Sequence, residues 1–455
     1  MLKISSPHQP ARKPRIVIVG AGFGGLSVIK GLGSVDAEIT LIDRQNHHLF
    51  QPLLYQVATA ALSPADIAAP IRSIVRRHRH MHVLLDSVCG IDRGRRMVRL
   101  QSGATVDYDI LVIATGAQHS YFGNDHWAEF APGIKTIDDA TRVRRKILLA
   151  LESAETNRQE NVAERKEFLT FVIIGGGPTG VEMAGAIAEL TRHATAMEFR
   201  YITPKCVRIV LIEAGSRLLA SFPEDLADSA RRSLEMLGVE VRLGGRVNHI
   251  DATGVIVGDD RIKAATVIWA AGVQASPAAQ WLEATADKAG RVCVEPDMSV
   301  TGHPEIFVIG DTSAIARDDG RPVPGIAPAA KQQGLHVGRT IAARLAGRHE
   351  PGRFRYRDFG TLATIGRKRA VVDFGWTRLK GFSAWLLWST AHLYFLVGFR
   401  NRFVVGMTWM WNYLTFDRGA RLITGLTPGT MASPQPPVIT LTPAAAPLKA
   451  VSAER

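Results

Sequence analysis

Short, strongly apolar runs recur along this chain and alternate with longer segments whose apolar residues are spaced as on one face of a helix. Two of the runs, residues 15–19 and 168–174, each lead into a glycine-rich turn. Runs this short, rich in Val and Ile and bounded by glycine, are typical of buried strands in a parallel sheet. A helical segment follows each turn, at residues 26–32 and 179–192. The pattern therefore predicts two strand–turn–helix units of an α/β protein.

Both turns carry the same glycine spacing, and they lie 155 residues apart. The glycines are Gly20, Gly22 and Gly25 in the first turn and Gly175, Gly177 and Gly180 in the second. Between a strand and a helix, this spacing lets the backbone turn sharply and bring a pyrophosphate to the positive end of the helix. A structural turn without a ligand is the alternative for either one alone. Two such turns in one chain favour two Rossmann-like dinucleotide-binding domains.

An acidic residue at the end of the next strand holds a ribose hydroxyl in such domains. In the first unit this residue is Asp43, 23 residues past the first glycine, where about 20 are expected. In the second unit the strand ends at Glu213, and we attribute its longer spacing to an insertion at 198–205. Because a carboxylate repels a 2′-phosphate, Glu213 favours NADH over NADPH, and the nearby Arg217 leaves the strictness of that preference open.

Two further apolar runs end in small turns that contain glycine. Thr115 and Gly116 follow the run at 110–113, and Gly310 and Asp311 follow a later one. In a flavin-type dinucleotide domain, an aspartate at such a strand end is placed to hold the ribityl and pyrophosphate groups. Capping of a following helix is the alternative role for Asp311, and the two roles are compatible.

The last third of the chain has a different character. Its longest apolar stretch, 382–399, is interrupted by polar residues and is short for a spanning helix, which needs about 20 predominantly apolar residues. Basic residues flank the apolar runs, and five tryptophans lie among them: Trp376, Trp385, Trp388, Trp409 and Trp411. Tryptophan with basic flanks is typical of a membrane interface. We expect a helix pair lying in the membrane surface; a spanning helix and a buried core or dimer contact are the alternatives.

Composition narrows the partners. A net charge of +13 suits an anionic partner, and the absence of a nucleic-acid motif favours the anionic face of a membrane. Cys89, Cys206 and Cys293 form no paired motif, which argues against a disulfide framework, a metal site and a redox-active disulfide beside the first helix. We expect a reduced compartment and the cytoplasmic face of the membrane, and the N-terminus lacks the apolar core of a secretory signal.

The order of these motifs resembles that of the type II NADH:quinone oxidoreductases, which are single-subunit flavoenzymes that do not pump protons. The resemblance covers about residues 14–425 and includes the stretches 48–58, 180–182 and 398–402. It implies that FAD binds at the first glycine turn, that NADH binds at the second, and that the enzyme reduces a membrane quinone. No side chain acts as a nucleophile in such chemistry, because the flavin carries the electrons.

The resemblance also implies a domain order, in which the second dinucleotide domain is inserted in the first. The expected boundaries are 14–120 and 276–345 for the FAD domain, 121–275 for the NADH domain, 346–425 for a membrane-associating quinone-site domain and 426–455 for a disordered tail. We expect the two dinucleotide domains to close their own cores before residue 376. A homodimer is a further possibility.

Two catalytic residues follow from the resemblance. Glu182 is implied to approach the flavin and nicotinamide; the alternative is a first-turn glutamate favoured by the helix dipole. The family's quinone motif, Ala-Gln-x-Ala-x-Gln, corresponds to residues 327–332, where Pro328 replaces the first glutamine and Gln332 is the polar residue that remains. The implied quinone contacts are Ala330, Lys331, Gln332 and Gln333.

Other functions share parts of this pattern. A sulfide:quinone oxidoreductase needs cysteines over the flavin, and Cys206 and Cys293 are poorly placed for that. A soluble ferredoxin or rubredoxin reductase is disfavoured by the C-terminal tryptophans. A protein that senses NADH without turnover carries the same motifs and stays open.

Overall fold

A computed structural model describes residues 12–78, 80–156, 162–415 and 418–425. The tail expected at 426–455 lies outside these residues. The described chain forms two parallel sheets covered by helices, followed by a small antiparallel sheet and two C-terminal helices. The α/β class predicted from the apolar runs is confirmed.

The first sheet has six strands, and the strand that enters the first glycine turn lies inside it. The strands lie in the order Ser299–Val300, His303–Val308, Ile110–Ile113, Arg15–Val19, Glu38–Asp43 and Met81–Leu85. Neighbours run parallel except at the first, antiparallel pair. The sheet thus draws strands from both sides of the second unit in the sequence.

Alternate residues of the central strand face opposite layers, as the period of a strand requires. Ile16 and Ile18 pack against the helices Phe23–Leu32 and Ala327–Leu345. Val17 and Val19 face an antiparallel meander formed by Val88–Asp92, Met97–Leu100 and Thr105–Asp107. The two helices touch through their backbones, since a Cβ on Gly334 would lie 2.2 Å from the Gly24 carbonyl oxygen. This contact fixes the second helix against the one that begins at the first glycine turn.

The second sheet repeats the plan with four parallel strands. They lie in the order Val239–Leu243, Arg208–Glu213, Thr170–Ile174 and Thr266–Trp269. A second antiparallel meander consists of Val247–Asp251, Gly254–Val257 and Asp260–Lys263. The helices of this unit are Ile137–Thr156, Val162–Phe168, Pro178–Met197 and Glu224–Met236.

Short elements join these layers. Two antiparallel strands, Ala117–His119 and Val273–Ala275, pair where the chain enters and leaves the second unit. Two further strand pairs are His47–Leu49 with Ala68–Pro70 and Val292–Cys293 with Ser313–Ala314. The short helices are Leu54–Ala58, Pro64–Ile67, Ile71–Val75 and Ala278–Leu282. The 3-10 turns are Gln51–Leu53, Asp125–Glu129, Pro204–Cys206 and Gly310–Thr312.

The C-terminal region packs directly on the second unit. Its antiparallel sheet consists of Thr361–Gly366, Arg369–Asp373 and Arg378–Gly381, and its helices are Phe382–Phe395 and Phe399–Thr415. The sheet lies on the helix Pro178–Met197 at such close range that a Cβ on Gly185 would be 1.6 Å from the carbonyl oxygen of Ile365. Only glycine allows this approach.

The expectation that both dinucleotide units close their own cores before residue 376 is wrong for the second unit. One continuous hydrophobic cluster joins Val181 and Ile187 of the second unit to Trp388, Leu396 and Val405 of the C-terminal helices. The sheet at 361–381 presents apolar residues to both partners and so merges their cores. Among the helices of the described residues, none has the length and apolarity that a membrane crossing requires.

Candidate active site

The first glycine turn has a geometry that only glycine allows. Gly20 adopts φ +100° and donates its N–H to the carbonyl of Ile42 at 2.7 Å, and a Cβ there would lie 2.3 Å from the Ala114 carbonyl oxygen. A Cβ on Gly25 would lie 1.9 Å from the Gly20 carbonyl oxygen. Gly22, by contrast, faces open space and caps the helix without a side-chain hydrogen bond. The first N–H groups of that helix are therefore free to bind an anion such as a pyrophosphate.

The second turn repeats this geometry closely. Gly175 adopts φ +109° and donates its N–H to Ile212 at 2.8 Å, and a Cβ on Gly180 would lie 1.8 Å from the Gly175 carbonyl oxygen. Gly177 faces open space and also caps its helix without a side-chain hydrogen bond. Both turns therefore fit the phosphates of a dinucleotide.

The two strand-end acids hold these turns in place. Asp43 Oδ2 accepts the N–H of Ala21 at 2.6 Å, and Glu213 Oε2 accepts that of Gly176 at 2.6 Å. In each acid, the other carboxylate oxygen accepts the backbone N–H of the residue two positions later in the sequence. Burial raises the pKa of Asp43, and its backbone hydrogen bonds oppose that shift. Arg217 donates one N–H of its exposed guanidinium to the carbonyl of Ala220 at 2.9 Å.

The glycine-bearing strand ends of the first sheet meet beside the first turn. Thr115 Oγ1 lies 2.5 Å from Ser276 Oγ, and Thr312 Oγ1 donates to the Gly116 carbonyl at 3.1 Å. Gly310 adopts φ +72°. Asp311 lies inside the 3-10 turn Gly310–Thr312, whose N-cap is Ile309, so the capping alternative does not describe it.

Sequence reasoning missed two polar residues of this region. Ser276 comes from the far side of the second unit and pairs with Thr115. Lys135 has a pKa lowered by burial, and the charge of Asp311 opposes that shift. Both residues belong to segments outside the glycine-bearing turns of the first sheet, so no local motif indicates that they lie beside it.

Glu182 lies in the helix that begins at the second turn, on the side facing the C-terminal sheet. Burial raises the pKa of its carboxyl to about 8, and a hydrogen bond from the backbone of Thr364 opposes the shift. The same carboxylate raises the pKa of Tyr55, for which burial is the larger cause. Glu182 is thus a partly buried acid between three segments and not a solvated first-turn glutamate.

A chain of hydrogen bonds connects this region to the second C-terminal helix. Gln56 Nε2 donates to the hydroxyl of Tyr55 at 2.9 Å, and Trp409 Nε1 donates to Gln56 Oε1 at 2.8 Å. The buried Arg418 extends the junction by donating to the carbonyl of Thr59 at 2.9 Å and pairing with Glu189 at 3.3 Å. The C-terminal region is therefore bound by hydrogen bonds to the region that contains Tyr55 and Glu182.

The stretch that resembles a quinone motif places its two glutamines against the main chain. The Gln332 side chain exchanges two hydrogen bonds of 2.9 Å with the main chain of Arg357. Gln333 is buried, and its Oε1 accepts the N–H of Gly310 at 2.6 Å. Gln332 is thus bound to the main chain through both ends of its amide and Gln333 through its oxygen, and the contact of either with a quinone stays a prediction. Ala330 packs near Gly310, where a Cβ on the glycine would lie 3.5 Å from Ala330 Cβ.

Lys331 instead enters an aromatic cluster between the first turn and the C-terminal helices. We define the acceptor cluster as Phe23, His48, Phe50, Lys331, Trp388, His392 and Phe395. His48 Nδ1 lies 3.0 Å from the carbonyl of Ala21, and burial lowers its pKa to about 4. His392 Nδ1 lies 2.7 Å from the carbonyl of Trp388, with a pKa lowered to about 4 for the same reason. Both imidazoles are neutral at pH 7.

The outer surface of the C-terminal helices is apolar. We define the apolar rim as Trp376, which lies just before the last strand of the small sheet, and these exposed large side chains of the helices: Phe382, Leu386, Tyr394, Phe399, Phe403, Met407, Met410, Trp411 and Leu414. Trp376 and Phe399 are each 85% exposed. Arg378, Lys380, Arg400 and Arg402 are exposed beside them. An exposed apolar patch with a basic border marks an interaction site more often than a free surface.

Comparison with known proteins decides between the functions that share this fold. The family model described as pyridine nucleotide-disulphide oxidoreductase matches residues 14–334, and the model for the NDH2 C-terminal domain matches residues 359–418. The chain is 44% identical over 430 residues to the type II NADH:quinone oxidoreductase Ndh of Mycobacterium tuberculosis, covering 91% of each chain. It is 43% identical to NdhA of the same organism, covering 93% of this chain and 92% of that one.

The chain belongs to the type II NADH:quinone oxidoreductase family. The resemblance drawn from the motif order is confirmed, as is NADH:quinone oxidoreductase activity. Among solved structures, NDH2 from Plasmodium falciparum in complex with NADH superposes with a TM-score of 0.83 at 21% identity, covering 91% of this chain and all of that one. The sulfide:quinone oxidoreductase of Aquifex aeolicus gives 0.69 at 20% identity. At these identities the superpositions show a shared fold.

Proposed function

We propose that the first glycine turn holds FAD, that the second holds NADH, and that a membrane quinone is reduced at the acceptor cluster. The observation that carries this proposal is the repeated turn geometry. Each turn places an uncapped helix N-terminus before open space, at Gly22 and Gly177, and each is fixed by a strand-end acid. Two dinucleotides held in one chain are what a transfer from nicotinamide to flavin requires.

The residues of the first sheet fit FAD. Gly20, Gly22 and Gly25 form the pyrophosphate turn, and Asp43 retains lone pairs for a ribose hydroxyl. The second glycine-bearing end, Gly310–Asp311, is held by Gln333. Bound flavin would take up a hydride from the nicotinamide and pass two electrons to the acceptor. The chain's own task is to orient both partners and exclude water.

The residues of the second sheet fit NADH. Glu213 already holds two backbone N–H groups and has lone pairs left for a free 2′-hydroxyl. A 2′-phosphate would bring a second anion to this carboxylate. We therefore infer a preference for NADH over NADPH. Glu182, on the helix that begins at this turn, is proposed to border the meeting point of nicotinamide and flavin.

The position of the acceptor cluster favours a quinone that arrives from a membrane. The cluster lies between the first turn, at Phe23, and the first C-terminal helix, at Phe395. The apolar rim covers the outer surface of the same helices. On a chain of net charge +13, we propose that this rim rests on an anionic membrane surface and admits the quinone there.

A combined experiment tests these assignments. The purified protein should carry a non-covalent flavin that acid releases as FAD, and NADH should bleach its visible absorption. NADH oxidation should depend on an added quinone and should rise when anionic vesicles supply a long-chain quinone. Protein without flavin, or flavin that NADH leaves oxidised, would contradict the cofactor assignment. Equal rates with and without quinone would contradict the acceptor assignment.

A further inference from the structure

Lys331 lies where the first glycine turn meets the C-terminal helices. Its Nζ is 5.0 Å from the ring centroid of Phe23, inside the turn, and 4.7 Å from that of Phe395, at the end of the first C-terminal helix. Both distances fall in the range of cation–π contacts. An ammonium group is therefore held on the side of the flavin turn that faces the apolar rim.

Two cations act on this ammonium. Burial is the largest cause that lowers the pKa of Lys331, followed by Arg402 on the second C-terminal helix and Lys30 on the helix after the turn. The neighbouring imidazoles, His48 on the strand beside the turn and His392 on the first C-terminal helix, are neutral at pH 7. Within the ranges that the structure describes, no carboxylate lies within 4.0 Å of Nζ.

This environment leaves the ammonium chemically available. Aromatic faces attract a cation but accept no proton in a conventional hydrogen bond, so the N–H groups of Lys331 can point to an oxygen of a bound molecule. The neighbouring glutamines are amides and cannot release a proton as an acid. Gln332 is also bound to the main chain of Arg357, and the oxygen of Gln333 to that of Gly310. Pro328, at the position of the motif's first glutamine, offers no side-chain donor.

The reaction needs such a donor. Reduction of a quinone to a quinol takes two electrons and two protons. NADH supplies the electron pair and one proton as a hydride equivalent, and the second proton comes from elsewhere. The overall balance is NADH plus a proton plus quinone to NAD⁺ plus quinol. A positively charged acid next to the quinone oxygen would also stabilise the negative charge that develops there.

We propose that Lys331 is the acid that protonates the quinone, a role that rests on the proposed reduction of quinone at the acceptor cluster. An N–H bond of Nζ breaks as the O–H bond of the quinol forms, while the electron pair comes from NADH. The neutral amine then regains its proton from water. Before the proton transfer, the ammonium between Phe23 and Phe395 attracts the same quinone oxygen and so acts as an electrostatic anchor for the quinone.

Two substitutions separate the anchor from the acid. Lys331→Arg keeps a cation between the rings but holds its proton at every accessible pH, whereas Lys331→Gln removes both properties. With a water-soluble short-chain quinone, we expect the arginine variant to keep the wild-type KM and lose at least about tenfold in kcat. The glutamine variant should lose kcat equally and also raise KM. Ferricyanide takes up electrons without protons, so its reduction by NADH should be unchanged in both variants.

The matched control is Lys30→Gln, which removes an exposed lysine that acts on the same ammonium from outside the cluster. It should keep wild-type kinetics with both acceptors. In the wild type, kcat with quinone should fall at alkaline pH as Lys331 loses its proton, and it should fall more than kcat with ferricyanide, which shares any contribution of Glu182. This additional alkaline fall should be absent from both Lys331 variants and present in the control.

Several results would overturn the proposal. Wild-type kcat with quinone in Lys331→Arg would exclude the lysine as the acid. So would an alkaline fall in kcat that persists in Lys331→Gln with quinone and is absent with ferricyanide. Parallel loss of flavin and of ferricyanide reduction in both variants would assign it to the integrity of the turn instead. A wild-type protein that reduces ferricyanide but no quinone would refute the proposed acceptor site, and with it this role. That outcome is distinct, because it appears before any substitution is made.

Discussion

Glu213 Oε2 accepts the backbone N–H of Gly176 at 2.6 Å, so the acid that we propose to select the nucleotide also fixes the turn that we propose to bind its phosphates. Asp43 holds Ala21 at the same distance in the first unit. Each strand-end acid therefore has two roles in one carboxylate. Loss of either acid is expected to alter both ribose recognition and the shape of the turn. A test of nucleotide selection therefore needs a substitution that keeps a hydrogen-bond acceptor for the turn.

Glu213→Gln removes the charge and keeps one of the two backbone contacts, because its amide oxygen can still accept the Gly176 N–H while the Gly215 N–H loses its acceptor. The wild type should prefer NADH over NADPH in kcat/KM by at least about tenfold, equivalent to about 1.4 kcal/mol. The variant should narrow that ratio while it keeps most of its activity with NADH. Glu240→Gln, on the next strand and paired with Arg208 and Arg242, removes the same charge outside the turn. Equal kcat/KM for both nucleotides in the wild type would refute the role of Glu213.

Asp311→Ala should release flavin. The carboxylate lies in the Gly310–Thr312 turn beside the first fingerprint, where it is proposed to hold the cofactor's polar chain. We expect the purified variant to have a much lower ratio of flavin absorbance to protein absorbance than the wild type. Asp319→Ala removes an exposed aspartate paired with Arg321 and should leave that ratio unchanged. A variant at position 311 with full flavin content would refute the assignment.

Glu182 should make stability depend on pH. Its pKa is raised from 4.5 to about 8 by burial, so the folded state favours the protonated carboxyl. This contribution is fully present below pH 4.5 and is lost as the pH rises through about 8, because the unfolded chain ionises more readily. The Tm of the wild type should therefore fall between pH 5 and pH 9 by several degrees more than that of Glu182→Gln, given that about 1 kcal/mol shifts Tm by a few degrees.

The control for this measurement is Glu235→Gln, on a solvent-facing helix position paired with Arg231. It should retain the wild-type dependence of Tm on pH. Identical curves for the wild type and Glu182→Gln would show that the carboxyl at 182 is ionised in the folded protein.

The apolar rim should carry the membrane contact. Replacing Phe399, Phe403 and Trp411, which are 85%, 63% and 61% exposed, with serine should release the protein from anionic vesicles in co-sedimentation. Flavin content and ferricyanide reduction should survive, since these side chains lie outside the core. Serine at Leu85, Phe122 and Met236, each 62% exposed on other surfaces, is the matched control and should still co-sediment.

High salt should weaken, but not abolish, the binding of the wild type to vesicles. Each basic residue near an anionic surface contributes about 1 kcal/mol, and salt screens that part, but burial of the aromatic side chains is not screened. A wild-type protein that ignores vesicles at low salt would make the rim a contact between protein chains instead. Truncation at residue 376 is a poor test, because Trp388, Leu396 and Val405 belong to the shared core.

The sequence by itself determined the dinucleotide units. Gly20 and Gly25, and their counterparts Gly175 and Gly180, occupy positions where a Cβ would overlap the backbone, so their spacing carries the geometry directly. Asp43 belongs to the same local pattern. The helix boundaries followed closely too: the helix expected at 179–192 spans Pro178–Met197. Such features are local, since the strand, the turn and the helix are adjacent in the chain.

Only the tertiary structure decided the acceptor side of the molecule. Lys331 and Phe395 are 64 positions apart in the sequence, and their contact depends on how the C-terminal helices pack on the first turn. The pairing of Gln332 with the main chain of Arg357 is equally non-local, and its motif position does not reveal it. The merged core that joins Trp388 to Val181 has the same origin. Apolar periodicity shows that a residue is buried, but the choice of its partner depends on packing between segments distant in sequence.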